Sequence, residues 1–125
     1  MLNIDKEVLF YDYYAQWIEV YKRGAIREAT MAKYLMTQKW VEKLVPELKV
    51  SELTRTAYQQ LLNAFAKEHE RQKTLDFHHQ LQVAILDAVD EGLIERDPTR
   101  KAIIKGNLSP SVREINDFYY EIIIG

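Results

Sequence analysis

The residues best suited to chemistry in this chain are cationic and polar side chains at the beginnings of two predicted helices. One group opens the stretch 72–92, and the other opens a helix that begins near residue 30. A helix beginning leaves backbone N–H groups without partners, and these attract anions such as phosphate. The pattern therefore favours phosphate contacts. The first group is Arg71, Gln72, Lys73, Thr74 and His78, and the second is Arg27, Thr30 and Lys33.

The same cations also fit an ordinary solvated helix face, and the charge distribution leaves both readings open. The net charge is −2, but residues 22–49 carry seven Lys and Arg against three acids, whereas 83–95 carry four acids and no base. Such a chain can present a basic face while remaining acidic overall. Charge by itself favours the solvated mosaic, because nucleic-acid-binding domains more often have a high pI.

No residue pattern indicates catalysis or a metal site, and no cofactor is predicted. The chain has no cysteine. His78 and His79 are adjacent on a helix and point about 100° apart, so they cannot chelate one metal together. His79 falls on an apolar line and is expected to be a hydrogen-bonded core histidine. Tyr119 and Tyr120 are rejected as nucleophiles, because only Arg113 is near enough in sequence to stabilise charge on an attacked phosphate.

The stretch 72–92 has the apolar spacing of a central helix. One line of apolar residues follows the helical repeat, and a second line on the opposite side predicts packing on more than one face. Gly92 is expected to end the helix in the left-handed conformation, with Leu93 folding back. The first line is Phe77, Leu81, Ala84, Ile85, Ala88 and Val89, and the second is Leu75, His79, Val83 and Leu86.

Three more helices are predicted, which makes the chain a compact all-α four-helix bundle. The first runs from Asp5 to Tyr21 with a buried aromatic stripe, the second starts with Thr30 as N-cap and ends before Pro46, and the third runs from its N-cap Thr54 to near His69. No run of about 18 apolar residues suggests a membrane span. The residues after 106 are expected to form an irregular tail.

Short motifs occur along the chain in a fixed order and spacing. With these motifs, residues 8–106 resemble the core-binding, SAM-like domain of phage-type integrases, the tyrosine recombinases of prophages and conjugative elements. The resemblance implies an orthogonal bundle. The motifs are Thr30-x-x-x-Tyr34, Leu53-Thr54, Gln72-x-Thr74, Ala88-Val89-x-x-Gly92-Leu93-Ile94 and Asp97-Pro98.

The resemblance implies binding to double-stranded DNA, as half of a clamp around the recombination core site. By this likeness the two groups at the helix beginnings contact DNA, and so does a basic linker formed by Arg100, Lys101 and Lys105. Other integrase subunits are further expected partners. The implied location is the bacterial cytoplasm, at the nucleoid when the protein is bound to DNA. Both expected helix beginnings should then face one stretch of duplex.

The chain departs from the family after residue 106. Residues 1–106 match the core-binding domain, whereas 107–125 do not match the expected entry to a catalytic domain, so they are interpreted as a divergent tail or a truncated entry. The chain is therefore not expected to be an enzyme by itself. The alternative is a helical protein-interaction module for integrase or other phage proteins, which the apolar run 118–124 favours.

Overall fold

The structure, a computed structural model, describes residues 5–107 and contains four α-helices in that part of the chain. This confirms the all-α prediction, and the only β pairing among the described residues consists of isolated bridges. None of the helices in this range is long and apolar enough to cross a membrane. The helices are α1 (Phe10–Tyr21), α2 (Glu28–Leu44), α3 (Arg55–Ala66) and α4 (Arg71–Asp90), with one 3-10 turn at Val50–Glu52 before α3.

The residues before α1 form a turn and not a helix, so the prediction of a helix from Asp5 was wrong. Their backbone groups pair with residues 48–51 instead of with a helical turn. The Phe10 N–H donates to Leu48 O at 2.7 Å, and the Val50 N–H donates to Val8 O at 2.9 Å. This pairing ties the start of the chain to the segment between α2 and α3.

Of the two predicted N-caps, one is confirmed and the other is wrong. Thr54 caps α3 as predicted, because its hydroxyl accepts the Ala57 N–H at 3.1 Å. Thr30 does not cap α2. That helix begins at Glu28, with Arg27 in the extended N-cap conformation and no side-chain cap, so Thr30 lies inside its first turn. An acidic residue in the first turn stabilises the positive end of the helix dipole, which favours the earlier start.

The end of α4 follows the sequence prediction closely. Gly92 has a φ of +80°, and its N–H donates to Val89 O, while the Leu93 N–H donates to Ala88 O. These two bonds form the Schellman motif that ends a helix at a glycine. Helix α3 is shorter than predicted at its C-terminal end, because it ends at Ala66 and not near His69.

Large aromatic side chains of α1 form the centre of the core and donate hydrogen bonds to α4. The Tyr13 hydroxyl donates to Ala84 O at 2.7 Å, and the Tyr14 hydroxyl donates to Gln80 O at 3.3 Å. The Trp17 Nε1–H donates to an Asp87 carboxylate oxygen at 2.7 Å. All three rings are at most 1% exposed. Their polar tips are thus satisfied inside the core, as buried polar groups require.

Helix α2 runs antiparallel to α4. Near its beginning Tyr34 packs on Trp17, which reaches the C-terminal half of α4 through Asp87. In the middle of α2 the Thr37 hydroxyl donates to the Gln80 side-chain oxygen. One turn later, the Trp40 ring meets the His69 ring, just before α4, at 4.7 Å. From the beginning of α2 to its end, the contacts therefore move from the C-terminal half of α4 to its beginning.

After α4 the chain returns along α3 to the beginning of α4. The Gln59 side chain exchanges two hydrogen bonds of 2.9 Å with the backbone of Ile103. Asn107 then pairs with the turn before α4: its N–H donates to His69 O, and its carbonyl accepts the Arg71 N–H, each at 2.9 Å. The end of the described chain is thus held at the opening of the central helix.

We predict that Gly106→Ala destabilises the fold by more than Gly24→Ala. Gly106 has a φ of +143°, and an added Cβ would lie 2.6 Å from the Arg71 backbone nitrogen, closer than real Cβ contacts allow. Gly24 also has a positive φ, but a Cβ there meets nothing within 4 Å. The left-handed backbone should cost about 1 kcal/mol at either position, and overpacking should add about 1–3 kcal/mol at Gly106 alone.

Thermal unfolding of the two variants, followed by circular dichroism, measures this difference. Equal shifts in Tm would contradict the tight contact between Gly106 and the start of α4.

Candidate nucleic-acid interface

The first turn of α4 presents three exposed side chains of the predicted DNA-contact group: Arg71, Gln72 and Lys73. The backbone N–H of Arg71 already donates to Asn107 O, so the segment after α4 occupies one of the free N–H groups of this helix beginning. The Gln72 side-chain amide donates to an Asp76 carboxylate oxygen at 3.2 Å. This turn therefore has one fewer free backbone donor, and its exposed side-chain cations are the main groups that it could offer to an anion.

The other two members of this group, Thr74 and His78, face the interior. Thr74 is 0% exposed, and its hydroxyl donates to Glu70 O. His78 is 8% exposed, and its Nδ1 lies 2.7 Å from the Tyr58 hydroxyl. Neither side chain can reach DNA in this conformation, which corrects the contact role assigned to them. The prediction that His79 is the core histidine was also wrong. His79 is exposed, and its neighbour His78 is buried instead.

Burial lowers the pKa of the His78 imidazole. Desolvation, followed by the adjacent His79, holds the pKa of the His78 imidazole below its ordinary value of 6.5, while Asp97 acts in the opposite direction. The neutral ring is the form that can accept the Tyr58 hydroxyl proton through Nδ1. The contact between Tyr58 of α3 and His78 of α4 therefore involves the neutral form of the histidine.

We predict that stability falls when the pH drops below about 6.5, because of His78. Its pKa is lower in the folded chain than in the unfolded chain, so in that range the unfolded chain binds more protons, and acid favours unfolding. Urea unfolding at pH 7.5 and pH 5.5 measures the loss for the natural chain and for His78→Gln, whose side chain cannot titrate. His79→Gln is the matched control, since that ring is exposed. An unchanged pH dependence in His78→Gln would contradict the assignment.

The predicted contact residues of α2 are exposed, but they lie at the other end of the α2–α4 contact. Lys33 is one turn before Thr37, and Lys73 is two turns before Gln80, the partner of Thr37. In an antiparallel pair these steps add, so at 1.5 Å per residue the two lysines lie about 16 Å apart along the helices. The two groups are therefore separated along the helices, and the expectation that both face one stretch of duplex stays a prediction. Arg27 and Thr30 lie still farther from the beginning of α4.

What the structure brings together is a flank of the two helices, which we call the outer α2–α4 face. Counted at 100° per residue, its members lie at or on one side of the Thr37–Gln80 bond, and every residue that forms it is exposed. Most of its members could not be predicted from the sequence, because only the tertiary contacts reveal how α2 passes α4. The face consists of Lys33, Met36 and Lys43 from α2 and Lys73, Asp76, His79 and Val83 from α4.

The cations of this face are available to an anionic partner. Among residues 5–107, the ion pairs are Arg23 with Glu19 and Lys49 with Glu7, so Lys33, Lys43 and Lys73 have no carboxylate within 4 Å there. The Lys43 ammonium group lies 4.5 Å from the centre of the Trp40 ring. This stacking restrains the lysine beside the beginning of α4 without neutralising it.

The predicted linker cations are divided between two places. Arg100 and Lys101 line an open pocket of about 830 Å³ at the beginning of α3, together with Lys6, Arg55 and Arg96. Lys105 is exposed and directly precedes Gly106, which packs against the opening of α4. The three residues therefore do not form one continuous contact, and only Lys105 lies near the α4 end of the outer face.

The described residues contain no other arrangement that suggests chemistry. Within residues 5–107, no three His, Asp or Glu side chains come together in a way that could hold a metal ion. The tyrosines Tyr119 and Tyr120, together with the apolar run 118–124, lie outside the described residues.

The four-helix fold of this chain also occurs in solved structures of recombination proteins. One similar solved structure is the N-terminal domain of the prophage pi2 protein 01, an integrase, from Lactococcus lactis. It is 33% identical, with a TM-score of 0.77, and the match covers 82% of this chain and 97% of that one. Another is a phage integrase fragment from Staphylococcus saprophyticus, 30% identical with a TM-score of 0.68, covering 86% and 94% of the two chains.

The chain therefore belongs to the phage integrases and corresponds to their N-terminal domain. A third structure, the Tn1549 transposon integrase in complex with a circular intermediate DNA, shares the fold at 13% identity and a TM-score of 0.68. That match covers 90% of this chain but only 38% of the transposon protein. No family model matches the chain, and the comparison with curated proteins gave no match.

Proposed function

We propose that this domain binds the double-stranded DNA of a recombination core site through the outer α2–α4 face. The observation that carries the proposal is a set of three exposed lysines, Lys33, Lys43 and Lys73, on one flank of two antiparallel helices, with no ion-pair partner among residues 5–107. Lysines of this kind release counterions from phosphates, which supplies much of the affinity for DNA. Their span of about 16 Å matches about five base pairs at 3.4 Å each.

Membership of the integrase family supports the proposal, since the similar transposon integrase was solved with DNA. The contact set differs from the one that the sequence suggested. Arg71, Gln72 and Lys105 remain at the α4 end of the face, and Arg27 and Thr30 remain as flanking contacts near the beginning of α2. Arg100 and Lys101 belong to a separate pocket, where they would reach the backbone of a longer duplex.

We predict that Lys73→Ala and Lys43→Ala each lower the salt dependence of DNA binding. Each lysine–phosphate contact that is lost should reduce the slope of log affinity against log salt by about one unit. Fluorescence anisotropy with a labelled core-site duplex of the chain's own element, between 50 and 200 mM salt, measures the slope.

Lys49→Ala is the matched control for this experiment, because the Lys49 ammonium group is already paired with Glu7 at 3.1 Å. Its slope should equal that of the natural chain. DNA binding that does not weaken with salt, or lysine variants that behave like the control, would refute the proposed face.

The proposal includes no catalytic step for this chain by itself; strand cleavage would belong to another domain or subunit. We predict that the purified chain leaves a supercoiled plasmid carrying the core site intact, as judged by gel electrophoresis. The positive control is a catalytically active integrase incubated with a plasmid that carries its own core site. Nicked or relaxed plasmid produced by this chain would overturn this part of the proposal.

A helical interaction module remains the second candidate function. It was inferred from the apolar run 118–124, which lies outside the described residues, so it stays a prediction from the sequence. Light scattering of the chain with and without that run distinguishes it, because an interaction module should lose self-association or subunit binding when the run is removed.

A further inference from the structure

The outer α2–α4 face has an apolar centre that phosphate binding does not explain. Met36 is 56% exposed and Val83 is 43% exposed, although both could have been polar at no cost to the core. Met36 directly precedes Thr37, and Val83 lies one turn after Gln80, so in the antiparallel pair both lie on the same side of the hydrogen bond that joins the two helices, about 3 Å apart along the helices. The two apolar side chains thus sit together between the cations at the ends of the face.

An apolar centre between cations matches the chemistry of a major groove. Phosphates border the groove on both sides, and the 5-methyl group of thymine is the one apolar group that base pairs present on its floor. Lys33 is three residues before Met36, and Lys43 and Lys73 lie at the opposite end of the face. Cations at the edges can therefore meet phosphates while the centre approaches the base edges.

A second copy of the chain fits this centre less well. A stable protein–protein contact buries about 800 Å² on each partner, and a few half-exposed apolar side chains provide only a fraction of that area. In a two-fold contact through the same face, the unpaired lysines of both copies would also be brought close and would repel one another. DNA phosphates would neutralise those charges.

We propose that Met36 and Val83 read thymine 5-methyl groups in the major groove. This inference rests on the proposed function and deepens it, because it assigns the base-reading part of the face and the chemical group that is read. Gln80 supports the contact by holding α2 and α4 at a fixed separation through Thr37. The lysines supply affinity for any sequence, whereas these two side chains supply a preference for thymine at particular steps.

The experiment replaces thymine by deoxyuridine, which removes the methyl group and preserves base pairing. A random-sequence 20-base-pair pool is first selected for binding to the full chain, and the selected duplex is then resynthesised with deoxyuridine at single positions. Affinity is measured by fluorescence anisotropy. One or two positions should lose about fourfold in affinity, which corresponds to the burial of one methyl-sized group at about 0.8 kcal/mol.

The variants Met36→Ala and Val83→Ala connect this loss to the face. Each should bind the thymine duplex more weakly than the natural chain does, and should show no further loss at its own deoxyuridine position. Val20→Ala is the matched control, because Val20 is 55% exposed but lies on α1, outside the face. Its response to deoxyuridine should be that of the natural chain.

Other outcomes separate this inference from the proposed function. If binding remains salt-dependent but deoxyuridine has no effect at any position, the methyl contact is refuted and the DNA-binding face stands. If Met36→Ala and Val83→Ala instead abolish self-association in light scattering and leave DNA affinity unchanged, the apolar centre is a protein contact. If no duplex is enriched from the pool and salt has no effect, both proposals fail.

Discussion

The rotation of α4 about its own axis is fixed by the aromatic residues of α1, and the rest of the domain depends on it. Buried Tyr13 and Tyr14 hydroxyls must find acceptors, and they find them at the carbonyls of Ala84 and Gln80. An unsatisfied buried hydroxyl would cost about 1–3 kcal/mol, so a rotated helix is strongly disfavoured. Because this side of α4 is held inside, the side that carries His79 and Val83 must face solvent. The presented surface is thus a consequence of core hydrogen bonding.

The structure also explains how an acidic chain can offer a surface to a polyanion. Acidic residues are concentrated near the end of α4, where Asp87 is occupied by the indole of Trp17. Lysines with no ion-pair partner in the described part of the chain lie along the α2 flank and at the beginning of α4. Local arrangement therefore matters more than the total charge of −2 for what the domain can bind.

Features that depend on neighbouring residues could be predicted from the sequence, whereas features that depend on how the helices pack could not. The helical repeat and the glycine stop signal identified α4 and its end at Gly92, because both depend on neighbouring residues. The apolar line through Val83 predicted a second packed face, yet Val83 is 43% exposed, since no described helix covers that side. The burial of Thr74 and the antiparallel course of α2 could not be read from spacing, because a helix repeat does not say which neighbour packs against which side. The candidate site therefore includes the exposed lysines Lys33 and Lys73, as predicted, but not Thr74 and His78, which are buried.

The contact between Asn107 and the opening of α4 has a mechanical consequence. Two backbone hydrogen bonds, to His69 and from Arg71, hold the departing chain against the turn that begins the proposed DNA-facing helix. Tension on the polypeptide beyond this point acts first on those two bonds, and their loss frees the Arg71 N–H. Under the proposed function, the freed N–H would be one more donor to phosphate at this turn, so DNA binding and the pairing of Asn107 would be linked.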